Sequence, residues 1–93
     1  KKGLYEKGLQ MDQRLVELVP DQETVRYNLA CDFSLLSRAD EALAKLEQAL
    51  KLGYDEFRYM CEDPDLAFVR QDKRFRTLVQ KYAPKKRSRT KQT

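Results

Sequence analysis

Four carboxylates near the C-terminal third of the chain are the residues most suited to chemistry. Glu62, Asp63, Asp65 and Asp72 lie close together in sequence, and such a cluster could bind calcium or form a general acid–base pair. Their spacing does not match the EF-hand calcium loop. Each aspartate also stands where a helix cap or a turn former is expected. We therefore predict that the three aspartates cap helices or form turns and that the chain holds no metal ion.

Histidine is absent from the chain, and its only thiols are those of Cys31 and Cys61. Without histidine the commonest general base is missing, and no Ser–His or Cys–His nucleophile pair can form. The two cysteines do not make a CxxC pair, so they offer too few ligands for a zinc site. They also make no disulfide framework, and we expect reduced thiols in a cytoplasmic protein. The sequence predicts a non-enzymatic protein that uses no cofactor.

Basic residues are concentrated at the C-terminal end of the chain. The net charge is +4, yet the stretch before position 84 is nearly neutral, because the tail after it holds basic residues and no acidic one. A basic tail can neutralise phosphates of nucleic acid or bind another anionic partner, and residues 86–89 resemble a nuclear import signal. No aromatic residue is interleaved, so base stacking is not expected. A solvated, disordered tail is the alternative. The candidate anion-binding residues are Lys85, Lys86, Arg87, Arg89 and Lys91.

Three amphipathic helices and a group of shorter ones must position these side chains. The first helix, over about residues 3–19, has apolar residues at alternating intervals of four and three and ends at Pro20. Asp21 is expected to cap the second helix. The third helix opens at Asp40 and closes at Gly53, the residue type favoured in a left-handed C-terminal cap. The apolar stripe of the first helix consists of Leu4, Gly8, Met11, Leu15 and Leu18.

Beyond the third helix the predicted elements become short. Pro64 interrupts a helix that starts near residue 55, because the residue before a proline disfavours helical geometry. Asp72 is expected to cap a final amphipathic helix. No apolar run approaches the roughly 18 residues that a membrane-spanning helix needs. The pattern predicts one all-α domain, whose core contains Leu29, Phe33, Ala42, Leu46 and Ala49.

The sequence also repeats itself when position 1 is laid on position 35. In this register, residues 5–9 fall on residues 39–43, and residues 15–18 fall on 49–52, so that the first helix overlays the third. A period of roughly 34 residues, built from helix–turn–helix units, is typical of tetratricopeptide repeats. Such arrays bind other proteins in a concave groove and carry out no chemistry themselves.

Residues 23–55 resemble one tetratricopeptide repeat position by position. Six of eight defining positions carry residue types that the family uses there, whereas Arg26 and Tyr54 stand in place of its tryptophan and proline. In the preceding half repeat, Asp12 and Leu15 depart from the usual aromatic residue and alanine. The stretch from residue 49 to residue 75 is similar to a segment that closes bacterial-type arrays. The matched residues are Leu29, Ala30, Phe33, Ala42, Leu46 and Ala49, with Gly8 and Pro20 in the half repeat.

The resemblance implies a partner-binding groove on the leading helix of the repeat. An aromatic ring, an amide and hydroxyl groups on one helix face can bind an extended or helical peptide by stacking and hydrogen bonding. The alternative is that Tyr27 and Leu35 pack on the neighbouring helix. Asn28 also stands where related domains that hold a C-terminal carboxylate have an asparagine, but those domains need basic residues from flanking repeats. The implied groove consists of Thr24, Tyr27, Asn28, Cys31, Ser34 and Leu35.

We therefore expect a tetratricopeptide-like α-solenoid fragment of antiparallel helix hairpins. Its predicted units are the second helix of a partial repeat (1–20), a complete repeat (21–53), short capping helices (54–83) and a disordered basic tail (84–93). Since the chain opens with two lysines and not with methionine, we expect a piece of a longer protein.

The expected function is non-catalytic binding of a peptide or helix of another protein in the groove. Binding of nucleic acid or another anionic partner through the basic tail is the alternative. We expect a monomer that does not contact membranes. Weak self-association through the uncovered face of the N-terminal helix is a further alternative, because an end repeat without a polar cap exposes apolar surface.

Overall fold

A computed structural model describes residues 2–84 of the chain. These residues form helices joined by short turns, and no strand occurs among them, which confirms the predicted all-α class. The long helices are α1 (Lys2–Leu18), α2 (Glu23–Leu35) and α3 (Ala39–Lys51). The short ones are α4 (Phe57–Glu62), a 3₁₀ turn (Pro64–Leu66), α5 (Ala67–Arg70) and α6 (Lys73–Tyr82). The basic tail predicted for residues 84–93 lies, from residue 85 onwards, outside the described residues.

Helices α2 and α3 form an antiparallel hairpin. The Arg26 guanidinium near the start of α2 donates to the Gln48 side-chain oxygen near the end of α3, at 2.6 Å. The same guanidinium also donates to the carbonyl of Pro20, at 3.1 and 3.3 Å, and so fastens the preceding turn. Arg26 therefore connects α2, α3 and the turn before α2.

A residue with a left-handed backbone conformation follows the C-terminal end of each helix of the hairpin. Gly53 has a φ of 110°, and the amides of Gly53 and Tyr54 donate to the carbonyls of Leu50 and Ala49 at 3.1 and 3.0 Å. This is the Schellman arrangement, and it confirms the predicted C-terminal glycine. Ser37 takes the equivalent place after α2 with a φ of 60°. A side chain in this region costs roughly 1–2 kcal/mol more than glycine.

The core lies where the three long helices meet the short C-terminal ones. All five residues predicted to form it are buried, and Ala42, Leu46 and Ala49 are fully enclosed. The two alanines have no bulk beyond Cβ, so the α3 backbone can approach its neighbours closely. The C-terminal segment adds Met60, Leu66, Val69, Phe75 and Leu78 to the same cluster.

Helix α1 does not pack against the core through its most apolar face. Leu9 is buried, and Tyr5 and Val16 pack against the core beside it. The predicted stripe mostly faces solvent, because Leu4, Met11, Leu15 and Leu18 expose 72%, 68%, 42% and 72% of their surface. The side chains that pack α1 against the core are thus centred roughly 130° around the helix from the stripe.

Asp63 and Asp72 have the capping roles that the sequence predicts, and Asp65 lies within the turn that Asp63 starts, whereas Asp21 does not cap α2. Asp72 Oδ1 accepts from the Arg74 amide at 3.0 Å and starts α6. Asp63 Oδ1 accepts from the Asp65 amide at 3.0 Å and starts the 3₁₀ turn. The prediction for Asp21 is wrong: α2 starts at Glu23, and the preceding Gln22 makes no side-chain cap. Helix ends vary by one or two residues, which sequence patterns do not resolve.

Candidate functional site

A cavity of about 370 Å³ opens on one side of α2 and is the best candidate for a binding site. Helix α1 forms one wall, and the segment that follows α3 forms the other. Most of its lining groups are polar. The lining residues are Asp12, Thr24, Tyr27, Asn28, Cys31, Asp32, Tyr54, Tyr59, Asp63 and Asp65.

Four of the six predicted groove residues line this cavity, and the other two lie elsewhere. Thr24 and Asn28 are exposed along it, whereas Tyr27 and Cys31 form its buried floor. Ser34 does not face a groove: it exposes 1% of its surface, and its hydroxyl has no hydrogen-bond partner among the described residues. Leu35 lines a separate depression beside Tyr5 at the other end of α2.

Tyr27 and Asp63 form the floor of the cavity. The Tyr27 ring stacks on Tyr54, with ring centroids 4.2 Å apart and planes within 9°. Its hydroxyl donates to Asp63 Oδ2 at 2.7 Å, and the Cys31 thiol lies 3.7 Å from the same oxygen. Asp63 exposes only 4% of its surface, so these donors replace the water that a buried carboxylate needs. The ring of Tyr27 therefore packs on Tyr54 in the non-helical segment after α3.

Burial sets the protonation of these groups. Burial and the hydrogen bond to Asp63 raise the pKa of the Tyr27 phenol well above its usual 10.0. Burial also raises the pKa of Tyr54 to about 12. Cys31 has its thiol pKa raised by burial and by the nearby Asp63 charge. A thiol needs its ionised form to act as a nucleophile, so the raised pKa makes Cys31 a poor nucleophile at neutral pH.

A pair of carboxyl groups joins α1 to α2 at the edge of the cavity. Asp32 Oδ2 is buried without a conventional donor among the described residues. Burial, a hydrogen bond shared with Asp12 and the Asp12 charge raise the pKa of Asp32 to about 8. Near neutral pH the pair therefore holds a proton, and Asp32 can donate to Asp12. Gly8 lies beside this pair, and an added Cβ would make only ordinary contact with Asp32 Oδ1, at 3.5 Å.

The cavity is acidic and has no built-in counter-charge. Four aspartates line it, while no lysine or arginine within residues 2–84 does. An incoming group that carries positive charge or hydrogen-bond donors would be favoured by these carboxylates. Among the described residues, no set of three or more candidate ligands is arranged to hold a metal ion. The arrangement can bind and orient a donor group, and Tyr59, which is 55% exposed, adds an aromatic face.

Several cavity residues were not among the predicted groove residues. Two of them, Asp12 and Tyr54, are positions where the chain departs from the repeat pattern. Those departures were the available signal. Asp63 and Tyr59 lie too far along the chain from α2 for spacing to place them beside it.

A second depression, of about 410 Å³, lies between α3 and α6. Ion pairs fasten its edges, because Arg74 lies 2.9 Å from Asp40 and Lys81 lies 3.2 Å from Glu47. Tyr82 also donates to Glu47 Oε2 at 2.7 Å. Basic side chains thus already pair with its carboxylates, whereas no lysine or arginine within residues 2–84 pairs with the carboxylates of the first cavity. The predicted anion-binding residues of the tail lie outside the described part of the chain. Within residues 2–84, no helix is long and apolar enough to cross a membrane.

The chain is similar to a curated protein of Arabidopsis thaliana whose name describes it as chloroplastic. The chain is 35% identical to it over 85 residues, a match that covers 88% of this chain and 25% of the relative. The chain thus spans about a quarter of the length of the curated relative that it matches. No protein-family model matches the chain, and no solved structure matches it either.

Proposed function

We propose that this chain is a tetratricopeptide-type helical module that binds a segment of another protein in the cavity beside α2. The observation that carries the proposal is the cavity itself, into which four of the six predicted groove residues converge. The module is non-catalytic: its only buried thiol has a raised pKa, and its buried phenol donates to a carboxylate that also caps a helix.

The repeat assignment is supported by the positions of the helices. In the register of the internal repeat, the end of α1 at Leu18 overlays Leu52, the C-cap residue directly after α3. Helix α2 packs against both. The family's alanine positions are the fully enclosed Ala42 and Ala49, which suits a hairpin repeated along an array.

The chemistry of the cavity favours a segment with a basic or donor side chain. Its aspartates lie beside the amide of Asn28 and the hydroxyl of Thr24, both exposed. A lysine or arginine placed there would pair with carboxylates that no described cation reaches. Exposed polar groups beside it would hold the backbone of the segment.

Affinity capture with matched variants tests this proposal. Asn28→Arg places a long cationic side chain in the cavity, and Gln80→Arg adds the same charge at an exposed position of α6. Partner proteins should be retained by the wild type and by Gln80→Arg, and lost with Asn28→Arg. A chain ending at residue 84 should retain them as well. Capture that survives Asn28→Arg but disappears with the truncation, or after nuclease treatment, would contradict the proposal and assign binding to the tail.

The cytoplasmic location remains a prediction that rests on the free thiols of Cys31 and Cys61. Free thiols, above all an exposed one such as Cys61, are typical of proteins in reducing compartments. The relative's name states that it is chloroplastic. A fluorescent fusion of the full-length protein would distinguish the cytoplasm from the chloroplast.

A further inference from the structure

One corner of the cavity contains a buried negative charge that no cation pairs with. Asp63 exposes 4% of its surface, and its carboxylate oxygens accept from the Tyr27 hydroxyl at 2.7 Å and from the Asp65 amide at 3.0 Å. Both donors are uncharged. The Arg70 guanidinium donates to the Asp63 backbone carbonyl at 2.7 Å, and no ion pair to the Asp63 carboxylate forms within residues 2–84. Since buried charges are normally paired, this one points to a cationic ligand.

An exposed aromatic ring lies beside this charge. Tyr59 of α4 exposes 55% of its surface, and its ring is inclined by 43° to the Tyr27 ring, with the centroids 6.3 Å apart. The Asp63 charge is the main cause that raises the pKa of the Tyr59 phenol, so the ring and the carboxylate are close. Tyr27 and Tyr54 are buried in their own stack, and Tyr59 therefore offers the accessible ring of this corner.

Asp65 adds a second carboxylate, which is exposed and lines the same cavity. Partial burial and the Asp63 charge raise the pKa of Asp65 above its usual value. Because like charges held close together disfavour each other, a bound cation would offset this repulsion. Tyr59, Asp63 and Asp65 are named the acidic corner. They lie on α4 and the turn that follows it, so helix α1 is not needed to form it.

A guanidinium group suits the acidic corner better than an ammonium group does. It is planar, it stacks on aromatic faces, and it can donate two parallel hydrogen bonds to one carboxylate. It is also more weakly hydrated than an ammonium group, so less hydration is lost when it approaches a buried charge. The exposed ring of Tyr59 and the exposed carboxylate of Asp65 supply the two contacts that distinguish arginine from lysine.

We infer that the acidic corner binds an arginine side chain of the partner segment, with the guanidinium group stacked on Tyr59 and paired with Asp65 in the field of Asp63. The inference rests on the proposed cavity function and narrows its basic anchor to arginine. Thr24 and Asn28, exposed along the same cavity, are then available to bind the backbone of the segment.

Titration of the full chain with single-residue probes measures this preference. The probes are N-acetyl-arginine amide, the corresponding lysine compound and the corresponding citrulline compound, which keeps a planar end group but carries no charge. Two-dimensional NMR follows the backbone amides of Tyr59 and Asn28. The arginine probe should shift these signals saturably and bind about threefold or more tightly than the lysine probe. The citrulline probe should leave the signals in place.

Substitutions at exposed positions locate the probe without endangering the fold. Tyr59→Leu, which removes the ring, should weaken binding of the arginine probe about two- to fivefold, whereas Tyr59→Phe should preserve it. Asp65→Asn should weaken binding by a similar factor, about two- to fivefold. Phe68→Leu and Asp55→Asn are the matched controls, because both residues are exposed and neither lines the cavity. Both controls should leave the affinity unchanged.

Three results would overturn the inference: no saturable shift, equal affinities of the arginine and lysine probes, or unchanged affinity in the double variant Tyr59→Leu, Asp65→Asn. The chain's own arginines are tested by Arg87→Gln with Arg89→Gln, which should leave the affinity unchanged. Tighter binding of the probe to that variant would instead assign the acidic corner to the tail of the same chain. The titration needs no partner protein, whereas the proposed cavity function is tested by capture, so failure of one is distinguishable from failure of the other.

Discussion

Replacement of Tyr27 by phenylalanine should destabilise the chain through the loss of one hydroxyl group. The phenol donates to Asp63 Oδ2 at 2.7 Å in a buried site, and hydrogen bonds to charged groups contribute about 1.5–3 kcal/mol. Phenylalanine keeps the stack on Tyr54, whose ring centroid is 4.2 Å away. The Asp63 oxygen would retain only the weak thiol donor of Cys31 at 3.7 Å. We expect a loss of about 2 kcal/mol, or roughly 8–16 °C in melting temperature for a domain of this size.

Thermal and urea denaturation followed by circular dichroism measure this loss. Tyr59→Phe is the matched control, because that side chain is 55% exposed, and it should change stability by less than about 0.5 kcal/mol. Equal losses for the two variants, or a loss below about 0.5 kcal/mol for Tyr27→Phe, would refute the assigned role of the hydrogen bond.

Alkaline pH supplies an independent check on the same group. The fold raises the pKa of Tyr27 above its ordinary value of 10.0, so the folded state favours the protonated phenol. The resulting stabilisation is complete below pH 10 and is lost as the pH rises above it. The stability gap between wild type and Tyr27→Phe should therefore narrow above pH 10. A gap that stays constant up to pH 11 would contradict the burial and hydrogen bonding of the phenol.

The remaining predictions concern the packing of α1 and α3. The fold raises the pKa of Asp32 from 3.8 to about 8, so the stability of the wild-type chain should fall as the pH rises from 4 to 8. Asp32→Asn keeps a hydrogen-bond donor to Asp12, and in urea denaturation at pH 8.5 it should be more stable than the wild type by on the order of 1 kcal/mol. Equal pH profiles of stability for the two chains would contradict this. Gly8→Ala should stabilise the chain by about 0.5–1 kcal/mol, since Gly8 is helical and an added methyl group meets only ordinary contact. A loss of stability would show instead that α1 packs too closely against α2 at this position to admit the methyl group. Ala42→Leu should cost about 1–3 kcal/mol in melting experiments, because Ala42 is fully enclosed, whereas Ala44→Leu on the exposed face of the same helix should be nearly neutral.

The helices and the core could be predicted from the sequence because they depend on local signals. Apolar spacing located α1, α2 and α3, and Gly53 marked the end of α3 with its left-handed backbone. Asp63 and Asp72 were predictable as caps for the same reason. The exception, Asp21, shows the limit: the choice between adjacent polar residues at a helix start depends on how the turn is held, here by Arg26.

The cavity was only half predictable because its walls come from distant parts of the chain. The resemblance to a tetratricopeptide repeat placed Thr24, Tyr27 and Asn28 together on one face of α2. Asp63 reaches Tyr27 from 36 positions away, and no periodicity relates the two. The orientation of α1 also depended on tertiary packing, since Leu9 became the buried contact and the more regular stripe was left exposed.

Site-specific photo-crosslinking tests the cavity function most directly. A photoreactive benzoylphenylalanine would replace Thr24, which is exposed along the cavity, and in a matched chain it would replace the exposed Gln80 of α6. Irradiation in extract of the source cells should give a discrete protein adduct from position 24 and none from position 80, and a lysine- or arginine-containing peptide of that protein should carry the crosslink. Absence of an adduct at position 24, or the same adducts from both positions, would contradict binding of a partner segment in the cavity.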